Sequence, residues 1–279
     1  NHSPVDGRRR HPREQCIMSF MVLRLDPRFP LLWRTPQSLQ FGLDRPSVVL
    51  DEVSHADELV IAALVTGVSR SGAEMIGHSA GLDDVALASL LHRLDPALLH
   101  PTPRSAPASA VVSGSGETAH RVRRLLVEAG VQVLPDLPDA SPQIAVIVAH
   151  YVLEPEDHGR WLRRDIPHLG VVYGDRAVSI GPIIQPGTGP CLYCLELHRT
   201  EADPSWPAMA AQLWHRHSSI ESSLVAGEVA AEVVRRVLAR RVAHRIEPLM
   251  SIELDASTGE RMLQEWSRHP ACGCTSLTA

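Results

Sequence analysis

The chain contains no lysine: all 27 of its Lys and Arg positions are arginine. This bias reads as the mark of GC-rich coding. It also excludes every mechanism that runs through a lysine amine, Schiff-base catalysis and P-loop phosphate binding among them. No apolar run approaches the roughly 20 residues needed to cross a bilayer, so no membrane role is expected. The formal net charge of −5 gives no drive towards nucleic acid or an anionic lipid surface. No secretory signal peptide is recognisable, and the expectation is a cytoplasmic protein with reduced thiols. The 15 histidines form no H-x-x-H pair or triad with ligand spacing.

What the chain does have is two close pairs of cysteines. Cys191 and Cys194 stand in C-x-x-C spacing at the end of a Gly- and Pro-rich stretch, Gly181 to Cys194. Cys272 and Cys274 stand in C-x-C spacing after His269-Pro270. Two tight loops that each offer two thiolates are what a tetrahedral zinc requires, and a site closed by four sulfurs keeps no position for water. The expectation is a structural zinc that staples the chain. Disulfides and a thioredoxin-like redox pair remain as alternatives, although neither accounts for the second close pair. His198 and His269 are expected to lie beside the site or on the surface, outside the ligand set.

At 279 residues, with 44% hydrophobic and 21% charged residues, the chain can bury two cores. Residues 1–20, with Arg8-Arg9-Arg10 and no apolar period, read as a disordered or non-native extension; Cys16 lies there and is given no role. Residues 21–97 read as a small winged-helix-like α+β domain. Its short apolar runs Val22–Leu25, Leu31–Arg34, Leu39–Phe41 and Val48–Leu50 are divided by turn residues, as in a small antiparallel sheet. Three helices follow. One starts at a Ser54/Asp57 capping box, one covers about Ser71 to His78, and one starts near Asp83-Asp84 and carries Leu87, Leu90 and Leu91. None of them has the basic face of a DNA-recognition helix, and no DNA partner is expected. Residues 98–109, rich in proline and small residues, read as a linker.

From residue 110 the pattern is β-α-β. Strand Ala110–Ser113, a turn with Gly114 and Gly116, a helix with Val122, Leu125 and Leu126, and strand Val131–Leu134 make a Rossmann-like opening. Buried strands at Ile144–Ala149 and Gly170–Tyr173 flank a helical stretch at about His158 to Ile166. Asp203–Pro207 caps a helix over Ala208–Arg216. A longer helix over about Ser219–Arg241 repeats Val225, Val229, Val233 and Val237 every four residues, a core or subunit-interface stripe. A hairpin, Leu249–Leu254 and Arg261–Trp266, returns the chain to the second cysteine pair. The glycine turn at Gly114 and Gly116 alone is weak evidence for a nucleotide.

The run Gly-Pro-x-x-x-Pro-Gly-x-x-Pro-Cys-x-x-Cys, after a GxG opening and closed by His-Pro-x-Cys-Gly-Cys, resembles the ThiF/MoeB group of ubiquitin-activating-enzyme-like adenylyltransferases. The fuller run Pro190 to Pro207 is closer to the actinobacterial ThiF-like proteins of thiazole/oxazole-modified microcin maturation. Leu39 to Asp51 resembles the PqqD-like recognition element of those proteins, so the likeness covers about residues 21–274. It implies a ThiF-type Rossmann domain over 110–279, a leader peptide bound at Val48, Val49 and Leu50 and against Leu87, Leu90 and Leu91, a separate ATP-dependent cyclodehydratase as partner, and a homodimer as an option. Active members carry an arginine, a lysine and acidic residues for ATP and magnesium. Here Pro135–Gln143 is too short to hold that set, although the resemblance leaves Asp136 to approach a ribose; no arginine occurs from 125 to 159, and the strand end at His150 lacks the aspartate. The resemblance thus implies a leader-peptide-binding scaffold that is not catalytic alone, with ATP binding left open, and an active adenylyltransferase as the alternative.

Overall fold

The computed structural model describes residues 22–100, 109–239 and 249–274. The extension at 1–20, most of the linker and the last residues of the long helix lie outside the described residues. The chain divides between Thr102 and Pro103 into two compact units.

In the first unit β2 (Leu31–Thr35), β3 (Ser38–Phe41) and β4 (Val48–Leu50) form an antiparallel sheet in that order, with β4 at one edge. β1 (Val22–Leu23) does not join it. It pairs instead with β5 (Val68–Ser69), a two-residue strand too short to leave a pattern in the sequence. Leu25 bridges Leu98, and the Leu99 amide donates to Arg24, which carries the unit past residue 97.

The helices are α1 (His55–Thr66), α2 (Arg70–Ser79) and α3 (Asp84–Leu94). α1 starts at the expected reciprocal cap: Asp57 N–H donates to Ser54 Oγ at 3.1 Å, and Ser54 N–H to Asp57 Oδ2 at 2.9 Å. Asp83 Oδ1 caps α3 from Ala86 N–H at 2.7 Å. Each cap satisfies donors that the first helical turn leaves free, worth about 1 kcal/mol apiece. Leu39, Phe41 and Leu50 of the sheet pack with Val60, Leu64, Leu87, Leu90 and Leu94 in one buried cluster.

The second unit is built on a seven-stranded sheet in the order β12-β11-β10-β9-β8-β6-β7. The members are β6 (Ser109–Ser113), β7 (Gln132–Leu134), β8 (Ile144–His150), β9 (His168–Tyr173), β10 (Ala177–Ile184), β11 (Met250–Asp255) and β12 (Arg261–Glu265). β7, β6, β8 and β9 run parallel, whereas β10, β11 and β12 add antiparallel. Parallel strands need both faces covered, and the alternation shows it. Ala110, Val112, Val146 and Val148 face one cluster with α4 (Gly116–Glu128) and α8 (Ser223–Ala239). Val111, Ala145 and Ile147 face the other, with Trp161, Leu192 and the cysteines. Val225, Val229, Val233 and Val237 are all buried in the first cluster, so the stripe is core. Glu232 pairs with Arg236 at 3.2 Å, one turn along.

Three further sequence expectations are corrected in the second unit. Gly181 to Ile184, read as part of the cysteine loop, continues β10, because the Pro182 position lies where the register with β9 shifts and no ladder donor is required of it. The stretch read as helical from His158 starts earlier. α5 (Pro155–Arg160) takes Pro155 at its first position, where the missing N–H is harmless, and a 3-10 turn follows at Leu162–Arg164. The helix assigned to Ala208–Arg216 is α7 (Trp206–Leu213), with Pro207 likewise in its first turn; it follows α6 (Leu192–Ala202).

Candidate functional site

β10 leads through the turn at Gln185–Thr188 to Cys191, the N-cap of α6, and Cys194 lies in that helix's first turn. The β11–β12 hairpin brings the second pair back. Trp266 is buried, with its Nε1–H donated to Ser251 at 2.8 Å, and Arg268 donates to the Gly187 and Gly189 carbonyls at 2.7 and 3.0 Å. The two loops are thus tied to each other by bonds that do not involve sulfur.

The thiols converge. Cys191 lies 3.8 Å from Cys194 and 3.7 Å from Cys272, and Cys194 lies 3.6 Å from Cys274. All four sulfurs lie within 4.8 Å of one another, and the cysteines are free. Burial pushes Cys191 up and Cys274 up to about 11. Burial acts on Cys194 in the same sense but is outweighed by backbone hydrogen bonds from His269 and Cys191, and its thiol is lowered. A cation that replaces the protons removes this conflict, and these four residues can hold a metal ion.

His198, Glu201 and His269 also gather beside the cysteines. The Ala271 N–H donates to His269 Nδ1 at 3.1 Å, which leaves the ring proton on Nε2, 3.4 Å from Glu201. A nitrogen that carries a proton has no lone pair for a metal. His198 Nε2 bonds the Ser267 carbonyl at 3.0 Å. Both histidines therefore brace the second loop.

The second feature is a cavity of ≈ 320 Å³ lined by the ends of β6 and β8. Here β6 is flanked by β7 and β8, and the connections leave in opposite directions, as in nucleotide-type crevices. Gly114, at φ 98°, would place a Cβ 2.2 Å from the Val148 carbonyl oxygen, so only glycine fits. Gly114 and Asp136 both line the crevice. Asp136 is held by Arg160 at 2.7 Å, and Arg160 also bonds the Leu137 carbonyl and stacks on Trp161. Gly116 faces the carboxylate of Glu221.

Glu154 and Asp157 add two more acids; burial, then Glu154, raises Asp157 to about 6. Arg216 also lines the crevice, with His215 and His217. It lies outside the stretch in which the sequence motif seeks an arginine, which is why sequence reading passed over it. Burial lowers His150, at the end of β8, against the pull of Glu221.

Sequence reasoning also missed an apolar cavity of ≈ 400 Å³ between α6 and α7, lined by Tyr193, Leu197, Trp206 and Trp214. Its one local signal was Trp206-Pro207 followed by Trp214. Glu196 at its wall is held by Arg199 at 2.6 Å and by Trp206 Nε1–H at 2.7 Å.

In the first unit, Leu50, Leu87 and Leu90 are buried, 1, 2 and 4% exposed, and are core residues. Val48, Val49 and Leu91 are half-buried, and Ser47 Oγ–H donates to Pro96 at 2.7 Å, tying the start of β4 to the turn after α3.

Sheet and crevice together define a Rossmann-like mixed α/β fold. No family model matches the chain, and no curated protein matches it. Solved structures do. The heterocyclase TruD superposes at TM-score 0.66 with 18% identity, over 91% of this chain and 42% of that one. A heterocyclase in complex with substrate and cofactor gives 0.67 at 16%, over 91% and 40%. E. coli MccB with MccA gives 0.62 at 12%, over 91% of this chain and all of that one. The chain thus spans about two fifths of the heterocyclases it resembles, and the likeness is one of fold. No described helix is long and apolar enough to cross a membrane.

Proposed function

We propose that the chain is a cytoplasmic leader-peptide-binding scaffold in the maturation of a ribosomally made, azole-modified peptide. Residues 22–100 form a winged-helix-like recognition element. The peptide adds as a strand to the outer edge of β4, with Val48, Val49 and Leu91 offering apolar contact, while Leu50, Leu87 and Leu90 hold that surface from beneath. Backbone pairing supplies affinity, and alternate side chains supply register. A separate ATP-dependent cyclodehydratase performs the chemistry on the presented precursor. The observation that carries this reading is the edge position of β4 beside the turn that follows α3. The folds of the heterocyclases and of MccB support it.

The metal is zinc. A tetrahedron with Zn–S of about 2.3 Å has sulfur–sulfur edges of about 3.8 Å. Three of the sulfur–sulfur separations, 3.6 to 3.8 Å, and a limit of 4.8 Å on the rest support that fit. Zinc supplies only structure here, since four sulfurs leave no site for water. Cys191 and Cys194 hold it from α6, and Cys272 and Cys274 hold it from the C-terminal loop.

Adenylation requires fixed cations where the triphosphate charge lies. Asp136, Glu154 and Asp157 line the crevice with one arginine, Arg216, a balance that disfavours a polyanion. The alternative, an adenylyltransferase acting on a peptide C-terminus, draws on Arg216 and on the full-length match to MccB. Fluorescence anisotropy with a labelled leader peptide encoded beside the gene tests the scaffold. Saturable binding that Leu91→Asp weakens about tenfold is expected. Absence of saturable binding to the folded chain contradicts it.

A further inference from the structure

The start of α4 lacks its own cap. Ser115, at the N-cap, makes no side-chain bond to the helix. The Thr118 N–H donates instead to Oε1 of Glu221, 103 residues further on, at 2.8 Å. The other carboxylate oxygen lies 2.6 Å from where a Cβ on Gly116 would stand, so the glycine at φ 92° makes room for it. His150, at the strand end where the sequence motif seeks an aspartate, turns its Nε2 to Glu221 at 3.5 Å. Its Nδ1 accepts the Ser218 N–H at 3.3 Å, which leaves the ring proton on the Nε2 side. The side chains of His150 and Glu221 are 10 and 11% exposed.

A Rossmann-type turn followed by a helix normally turns these amides and the positive end of the helix dipole towards a phosphate. Here an anion is already present, and it belongs to the chain. We propose that Glu221 is a resident anion that excludes phosphate groups from the α4 N-terminus. A phosphate brought to the Thr118 amide would have to displace a buried carboxylate and lie against its charge. The inference rests on the crevice geometry alone and is independent of the leader-peptide reading.

The test is calorimetric titration of inorganic pyrophosphate into the full metal-loaded chain, as wild type, Glu221→Ala and Glu221→Gln, with thermal melting of each as a check on folding. Glu221→Ala empties the site and should bind pyrophosphate at least about tenfold more tightly than wild type. Glu221→Gln still fills the space but drops the charge, and should gain less. A purely structural cap would change the melting temperature without this gain. The proposal is overturned if wild type binds pyrophosphate as tightly as folded Glu221→Ala. Should Glu221→Ala not fold, Glu221→Gln decides: an affinity above that of wild type supports the proposal, and an unchanged affinity overturns it.

Discussion

His168 makes the second unit acid-sensitive in a way that can be worked out. It is fully buried at the start of β9; its Nδ1–H donates to the Ile166 carbonyl at 2.9 Å, and its Nε2 has no protein partner. Burial, opposed by the Ile166 bond and reinforced by His158, lowers its pKa from 6.5 to about 4. The unfolded chain therefore binds a proton between those values that the folded chain refuses, and stability falls as pH drops from 6.5 towards 4. A shift of this size corresponds to about 3 kcal/mol in full, of which about 2 kcal/mol is lost between pH 7.5 and pH 5. Asp157, raised to about 6, acts in the opposite sense, so the wild-type profile alone does not isolate the histidine. His168→Leu removes the titrating group while keeping an apolar side chain in the strand. Urea unfolding of both proteins at pH 7.5 and pH 5, at fixed metal, follows tryptophan fluorescence. Four of the 5 tryptophans belong to the second unit, with Trp161 fully buried there. His168→Leu is expected to be the less stable at pH 7.5, having lost the Ile166 bond, and to recover about 2 kcal/mol relative to wild type at pH 5. Parallel losses in the two proteins would refute the reasoning.

Other consequences follow from the same contacts. Cys272→Ala should lose bound zinc on dialysis and lower the melting temperature by at least about 10 °C, since structural zinc contributes on the order of 10 kcal/mol to folding; elemental analysis and thermal melting check both. Gly114→Ala forces a Cβ against the Val148 carbonyl at a left-handed φ and should cost about 3 kcal/mol or more, read by urea denaturation. Asp57→Ala in the α1 capping box should cost about 1 kcal/mol by the same method, with no effect on zinc content.

Much of the fold was legible because it rests on local rules. The Ser54 box, the Asp83 cap and the valine stripe of α8 lie where spacing placed them. The cysteine pairs were legible because ligand spacing is itself local. What failed to show was non-local. β5 exists only because Val22 and Leu23 pair with it, and β10 hides behind a Gly-Pro that local statistics assign to a loop. Arg160 and Arg216 reach the crevice from outside the window that the family motif covers. Glu221 caps a helix 103 residues away, a relation that no periodicity carries. Leu87 and Leu90 were correctly read as apolar and adjacent, but spacing does not distinguish a helix face that meets a peptide from one that holds the core.

The account as a whole is tested most directly by calorimetry on the intact zinc-loaded chain, titrated with ATP and magnesium before and after saturation with leader peptide. It predicts saturable heat from the peptide and none from the nucleotide in either state. ATP binding with release of pyrophosphate once the peptide is present would contradict it.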